Sequence, residues 1–532
     1  MAVPQILSRA TALISRFRRD TKANVAIMFG IAILPILGAV GVATDYSMAT
    51  RMKAKLQSAA DAAAIASISQ NSAGYNAAML MTSDGAVPAG VTAANNIFNG
   101  NLRTIIGYQD LNASVTSTVT KTGATLSSTV QFTADVPVTF MKVMGWQIMT
   151  VRGTSAATAT LPLYLDFYLM LDVSGSMGLP STPAEAVRMQ SINPDNYVQY
   201  PTGCTLACHF SPQNSACTDS GTQRYRTNNY CMGYAFSRVS QAALANLINM
   251  ASTSSVPKTQ VPGFPNSMIS GLPASLNTDS RWGLPAVPNC PTDGTDACIQ
   301  LRLDAVGYAV NQLFITANNT AKVANQFRIG LYPFIRFLYS YFPLTSSING
   351  STTDSSTINY AAANLATLLD TNVNANLGSG GTHIDTALTS MNGVITSVGN
   401  GTATNNTLPY VFLVTDGAQD PQIKGVPNGG WSGSNHATVI DSTSSGNVCS
   451  TLKSRGIIVS VLYIPYVPIN PVNTSFAGNE DTYANNNIAN IPGSLRSCAS
   501  PGFFYTANTP ADITAALQAM FNHALQTAHL TN

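Results

Sequence analysis

The chain has 532 residues, enough for two to four domains with buried cores. Only 9% of its residues are charged while 45% are hydrophobic, which excludes long disorder. The net charge is +2, and the first 24 residues alone carry +4, where Arg9, Arg16, Arg18, Arg19 and Lys22 oppose Asp20. The rest of the chain is slightly acidic and offers no basic face for nucleic acid.

Residues 1–22 form a basic segment. The run from Ala23 to Thr44 carries no charge, and its 22 residues span roughly 30 Å as a helix, the thickness of a bilayer core. Pro35 and the glycines of this run are tolerated in membrane helices. The pattern predicts a retained single-pass anchor. A cleaved signal peptide is the alternative, with Gly41 and Ala43 as small residues at its end. Five basic residues before the span, against Arg51, Lys53 and Lys55 after it, place the N-terminus in the cytoplasm. All eight cysteines lie beyond the span, and an even count on one side reads as disulfides in an oxidising space such as a periplasm. The bulk of the chain is therefore expected outside the inner membrane.

Residues 45–161 read as a helix plus a small antiparallel sheet, a pilin-like arrangement. A helix over residues 44–69 continues out of the span, and a second covers about 91–98. Period-two alternation follows in Ala113, Val115, Ser117 and Val119, then in Ala124, Leu126, Ser128, Val130 and Phe132, with a turn at Lys121-Thr122-Gly123. A further strand is expected over Ile148–Thr160.

Residues 162–530 change to an α/β pattern, expected as a doubly wound parallel sheet. YLDFYLMLD, ending at Asp172, is an apolar run suited to a buried parallel strand. Phe327–Phe337, Tyr410–Thr415 and Gly456–Ile464 are further strand-like runs. Helices are expected over Ile299–Ala317, Ala361–Asp370, His383–Val398, Asn447–Ser454 and Ala511–Ala528. Residues 179–298, rich in Pro, Asn, Ser and Thr and holding six cysteines, read as a disulfide-tied insertion. Cys449 precedes a helix leading into a strand and Cys498 lies in the following strand region, and the two are expected to pair provided their Cα atoms stand about 5–6 Å apart. Cys204-x-x-x-Cys208-His209 with Cys217 has zinc-compatible spacing, and departs by one residue from the C-x-x-C-H of haem attachment; ordinary disulfides are the simpler reading.

Three segments carry the chemistry. Asp172-Val173-Ser174-Gly175-Ser176 closes the first α/β strand, Gly378-Ser379-Gly380-Gly381-Thr382 opens a helix, and Asp416-Gly417 closes the strand YVFLVT. Carboxylates and hydroxyls at the carboxyl edge of a parallel sheet are hard oxygen donors of the kind Mg²⁺ takes. DVSGS, GGT and VTDG in this order resemble the metal-ion-dependent adhesion site of the von Willebrand factor A domain. That resemblance implies Asp172, Ser174, Ser176, Thr382 and Asp416 as ligands, directly or through water, of Mg²⁺ or Mn²⁺, with a coordination position open to a partner's acidic side chain.

RFRRDTKANVAIMFGIAILPILGAVGVATDY with KLQSAADAAAIAS resembles the anchor of TadE/TadG-like proteins of the Tad (Flp) pilus-assembly system. LRSCASPGFFYTANTPADITAALQAMF resembles their C-terminal end. The resemblance implies a bitopic inner-membrane protein whose periplasmic part binds another pilus-assembly component. Two alternatives use the same site: a surface adhesin and a metal-dependent hydrolase. H-E-x-x-H, G-x-S-x-G and Walker-type loops are absent, His383 reads as a helix N-terminal residue rather than a general base, and no catalytic residue is assigned.

Overall fold

The computed structural model describes residues 21–105, 110–179, 181, 302–352, 354–363, 365–370, 374–426, 429–434, 436–466, 468, 472 and 479–528. The basic segment up to residue 20 and the cysteine-rich insertion, with the zinc and haem candidates Cys204, Cys208, His209 and Cys217, lie outside the described residues. The chain divides into two compact units, Met1–Leu161 and Pro162–Asn532.

The first unit is organised by one long helix with two contrasting halves. α1 (Thr21–Ile68) is 48 residues long, about 70 Å at helical rise, with Pro35 inside it. In its first half Val25, Ile31, Leu34, Ile36, Leu37 and Val40 are all more than half exposed. In its second half Leu56, Ala59, Ala60, Ala63, Ala64 and Ile68 are buried. The first pattern suits lipid and the second a protein core.

α2 (Ala73–Leu80), which the sequence pattern did not predict, is capped by Ser72, whose side chain accepts from Tyr75 N. α3 (Pro88–Leu102) is longer than expected and begins with proline, whose missing N–H costs nothing at a helix start. The antiparallel sheet runs β1-β2-β3-β4, with β1 (Gly85–Ala86), β2 (Asn112–Thr122), β3 (Thr125–Pro137) and β4 (Ile148–Thr160). Along β3, Leu126, Ser128, Val130, Phe132, Ala134 and Val136 are all buried and alternate with less buried neighbours, as the period predicts. The hairpin turn is Gly123-Ala124, one residue later than expected, because Thr122 pairs with Thr125 and Gly123 takes φ +57°. Alanines on α1 allow close approach, and a Cβ at Gly153 would lie 2.4 Å from both Gln57 Oε1 and the Phe132 ring.

In the second unit six strands lie in the order β12-β11-β8-β5-β6-β7. They are β5 (Leu165–Asp172), β6 (Phe327–Phe334), β7 (Phe342–Thr345), β8 (Leu408–Thr415), β11 (Ile458–Tyr463) and β12 (Phe504–Thr506). Pairing is parallel except for the edge strand β7, which is antiparallel to β6. The expected long strand Phe327–Phe337 stops at Phe334 for this reason. Arg336 N and Phe337 N donate to Leu377 O, and the chain turns back into β7. A separate two-stranded ribbon joins β9 (Ile423–Lys424) to β10 (Trp431–Ser432).

Helices cover both faces of the large sheet. They are α4 (Arg302–Thr320), α5 (Ile358–Ala363), α6 (Ile384–Val394), α7 (Val448–Ser454), α8 (Glu480–Ile488), α9 (Ile491–Cys498) and α10 (Pro510–Ala528). On one face Phe167 packs against Phe412 and against Phe521 of α10, each at 5.2 Å between ring centres. On the other, Tyr168 and Met170 join Ile384 and Leu388 of α6, Leu452 of α7 and Leu495 of α9 in one cluster. Coverage on both faces explains why β5 and β8 are buried at every position and apolar at most of them.

Two helices are shorter than expected. The one placed at Ala361–Asp370 is α5 followed by a 3₁₀ turn at Leu365–Leu368, since Asp370 N instead donates to Val173 O. α6 ends at Val394, where the Arg455 guanidinium takes Asn392 O and Ile395 O. Cys449 on α7 is bonded to Cys498, with Cα atoms 5.0 Å apart. Cys498 ends a helix, α9, rather than lying in a strand region.

Candidate functional site

Asp172 is the last residue of β5 and Asp416 the first after β8, and these two strands are parallel neighbours. From β5 the chain continues to β6 on one side, and from β8 to β11 on the other. That divergence leaves a crevice at the carboxyl edge, where parallel α/β sheets take ligands. Ser174 and Ser176 follow in a 3₁₀ turn, Gly175–Gly178, with their Oγ atoms 3.3 Å apart. Thr382 precedes α6 and is tied to the loop after β8 by paired backbone bonds with Asp420, at 3.1 and 3.0 Å.

The glycines before Thr382 are required by this contact. Gly380 and Gly381 have φ of +86° and +62°, and a Cβ at Gly381 would sit 2.1 Å from Asp420 O. Asp370, which sequence reasoning missed, braces the two loops. Its N–H bonds Val173 O and its carboxylate accepts from Gly380 N at 3.0 Å.

All five predicted residues are buried at this one edge. Asp172 accepts from Ser174 N at 3.0 Å and from the Thr415 hydroxyl at 2.7 Å. Burial, then the Asp416 charge, pushes its pKa up to about 7. Burial raises Asp416 as well, opposed by Arg302, the Ser176 hydroxyl and the Ala418 amide. Both Asp416 oxygens are buried without a hydrogen bond of ordinary geometry, and Arg302 Nη1 stands 3.7 Å away. Two buried carboxylates with incomplete partners carry a cost that a bound cation relieves.

Arg302 was not singled out from sequence. Its N–H donates to Leu179 O at 2.9 Å, so the two ends of the segment 180–301 meet beside the site. A cavity of about 20 Å³, room for a single water-sized occupant, is lined by Ser176, Thr382, Asp420, Tyr466 and Glu480 among others. Glu480, also missed, has a pKa pushed up to about 9 by burial and by the charge and hydrogen bonding of Asp420. No local pattern connects Asp420 with Glu480, sixty residues apart. His383 directs Nε2 to Gln422 O at 3.2 Å, and burial lowers its pKa.

The donors here are two carboxylates and three hydroxyls, which are hard oxygens suited to Mg²⁺ or Mn²⁺. Among the described residues no three of His, Cys, Asp and Glu form a metal-holding group, so a cation here would depend on the hydroxyls.

Residues 23–70 match the family model described as "Putative Flp pilus-assembly TadE/G-like". The match covers most of α1 and none of the second unit. No curated protein matches the chain. Solved structures with similarity include the pilus adhesin SpaC from Lactobacillus rhamnosus GG, at 12% identity and TM-score 0.29, covering 78% of this chain and 35% of that one. The PilB minor pilin from Streptococcus sanguinis is 10% identical with TM-score 0.27, covering 78% of this chain and 79% of that one. The vWF domain of the type V pili tip protein Mfa5 from Porphyromonas gingivalis is 14% identical with TM-score 0.25, covering 43% of this chain and 89% of that one. The chain therefore spans about a third of the SpaC chain it matches.

Proposed function

We propose that this is an inner-membrane component of Flp pilus assembly, anchored by residues 23–44 with its N-terminus cytoplasmic. Its second unit, read as a doubly wound von Willebrand A-like domain in the periplasm, binds a protein partner through a divalent cation. Asp172, Ser174, Ser176, Thr382 and Asp416 would hold Mg²⁺ or Mn²⁺, and the bound cation would supply a coordination position for an acidic side chain of another pilus-assembly component. Asp172 and Asp416 provide the charge, and the serine and threonine hydroxyls provide neutral oxygens. Thr415 and the Ser174 N–H orient Asp172. The Asp420 bridge and Asp370 hold Thr382 and its loop at the edge.

The observation that carries the reading is Asp416: a fully buried carboxylate with neither oxygen in a hydrogen bond of ordinary geometry and its nearest cation, Arg302 Nη1, 3.7 Å away, beside a second buried carboxylate. Native structures seldom leave such groups uncompensated. The role is binding rather than catalysis, and purified protein should not hydrolyse generic phosphoesters.

Equilibrium dialysis of the full chain in detergent micelles, with Mn²⁺ followed by electron paramagnetic resonance, tests the site. One Mn²⁺ per chain, displaced by Mg²⁺ and lost in Asp172→Ala, is expected. Undiminished binding in Asp172→Ala would count against the assignment.

A further inference from the structure

We propose that the loop from Thr139 to Ile148 is a second membrane contact, an apolar wedge seated at the headgroup boundary of the leaflet where the α1 span ends. The proposal rests on residues 23–44 being a membrane anchor, and its test separates the two claims. Within ten residues Phe140, Val143, Met144, Trp146 and Ile148 are 53, 92, 53, 62 and 48% exposed. So dense a patch of large apolar side chains marks an interaction surface.

The position of the loop along α1 identifies the occupant as lipid. Met144 Cε lies 3.4 Å from where a Cβ at Gly38 would be, and Phe140 Cβ lies 2.6 Å from that point at Gly41. Both glycines are inside the uncharged run, and Gly38 is six residues, about 9 Å, before its end at Thr44. If that run occupies hydrocarbon, a loop touching Gly38 is carried to the same depth.

The backbone is prepared for that setting, where unsatisfied polar groups are costly. Asp45, one residue beyond the run and 2% exposed, accepts from Thr139 N, Phe140 N and Met141 N at 3.0, 2.8 and 2.7 Å. These three bonds fix the loop's height on the helix. Val138 N, Val143 N, Gly145 N and Trp146 N are each bonded to a backbone carbonyl within residues 140–147. Tyr46, next to Asp45, is 64% exposed and Trp146 on the loop 62%, and such aromatics are enriched at membrane–water boundaries. Lys142 is exposed on the loop, and Arg51 and Lys53 are exposed about two turns beyond the run, within reach of lipid phosphates.

The test uses the full chain with Trp282→Phe and Trp431→Phe, leaving Trp146 as its single tryptophan. It is reconstituted in vesicles of phosphatidylethanolamine and phosphatidylglycerol whose acyl chains are brominated either near the headgroup or near the bilayer centre. Trp146 emission should fall about twofold with the shallow bromines and less with the deep ones, as boundary aromatics do. Val143→Asp, at a side chain too exposed to be needed for folding, should weaken that quenching. A control with Trp146→Phe and Ile36→Trp reports the span. If Ile36→Trp is quenched by deep bromines while Trp146 is not quenched at all, the wedge is wrong and the anchor stands. If neither is quenched, both fall. Trp146 shielded from aqueous acrylamide yet untouched by brominated lipid would mean that another protein surface, such as a second copy, covers the loop, which also overturns the proposal.

Discussion

Asp166 and Asp172 stand six residues apart on one strand, β5, and their surroundings are opposite. At the amino edge, Asp166 accepts from Arg328 Nε at 2.7 Å, from Arg328 Nη2 at 2.5 Å and from the Thr407 hydroxyl at 2.5 Å. This is a bidentate guanidinium–carboxylate pair with a neutral donor added. At the carboxyl edge, Asp172 has one N–H and one hydroxyl, and its nearest charge is another carboxylate. Both aspartates are buried, yet only the first is compensated by the protein itself. Buried charge at the amino edge closes the structure; at the carboxyl edge it leaves capacity for something added.

The largest test of this contrast concerns how the carboxyl edge is braced. The Cys449–Cys498 bond, at a sequence separation of 49, stabilises by about 4 kcal/mol in the chain-entropy picture. It tethers α9, whose Ile491 and Leu495 press on the turn after Asp416. Cys449→Ala with Cys498→Ala should lower the denaturant midpoint and weaken the cation response, whereas the Asp166–Arg328 edge should keep its hydrogen-exchange protection. Next, Asp166→Ala should cost about 2–3 kcal/mol, below the figure for a fully buried pair because the Arg328 side chain is 40% exposed. That loss should be the same in Mg²⁺ and in chelator.

Gly417→Ala probes the edge more locally. Gly417 has φ +79°, and a Cβ there would lie 2.5 Å from Ile491 Cγ2 and 2.7 Å from Leu495 Cδ1. Strain and overpacking together should cost about 1–3 kcal/mol in chemical unfolding, with a loss of cation affinity.

The smallest effect is in pH. Asp172 and Glu480, with pKa pushed up to about 7 and about 9, hold protons in the folded state that the unfolded chain releases near 4. The folded state then binds more protons, so stability in chelator should fall as pH rises from about 4 to 9. Mg²⁺ favours ionised Asp172 and should flatten the fall below about 7, leaving the Glu480 portion above it. Melting in chelator that is flat or rises over this range would contradict the assignment.

Much of the second unit was legible because single strands carried the signal. β5, apolar but for Asp166, and β8 are runs that end in Asp172 and just before Asp416, so topology alone brought two carboxylates to one edge. In the first unit the alternation along β3 was equally plain. Elements that depend on distant partners were not legible. β7 is four residues long and is held by β6, with no pattern of its own. α8 reads EDTYANNNI, a polar string whose buried Glu480 and Asp481 are explained only by what surrounds them. Arg302 and Asp370 reach the site from remote segments, and Asp420 meets Glu480 across sixty residues. The DVSGS, GGT and VTDG segments announced where to look, while the bracing around them is tertiary.

The most direct measurement is thermal unfolding of the full chain in detergent micelles, with Mg²⁺ against chelator, for wild type, Asp172→Asn and Asp166→Asn. A cation bound only by the folded state at a hundred times its Kd adds about 2.7 kcal/mol, a shift of at least a few degrees. The account predicts that shift in wild type, its retention in a destabilised Asp166→Asn, and its loss in Asp172→Asn, whose melting in chelator should be no lower than wild type because one of two repelling charges is gone. A wild type indifferent to Mg²⁺, or an Asp172→Asn that still responds, would contradict the claim that the carboxyl edge is built for a cation.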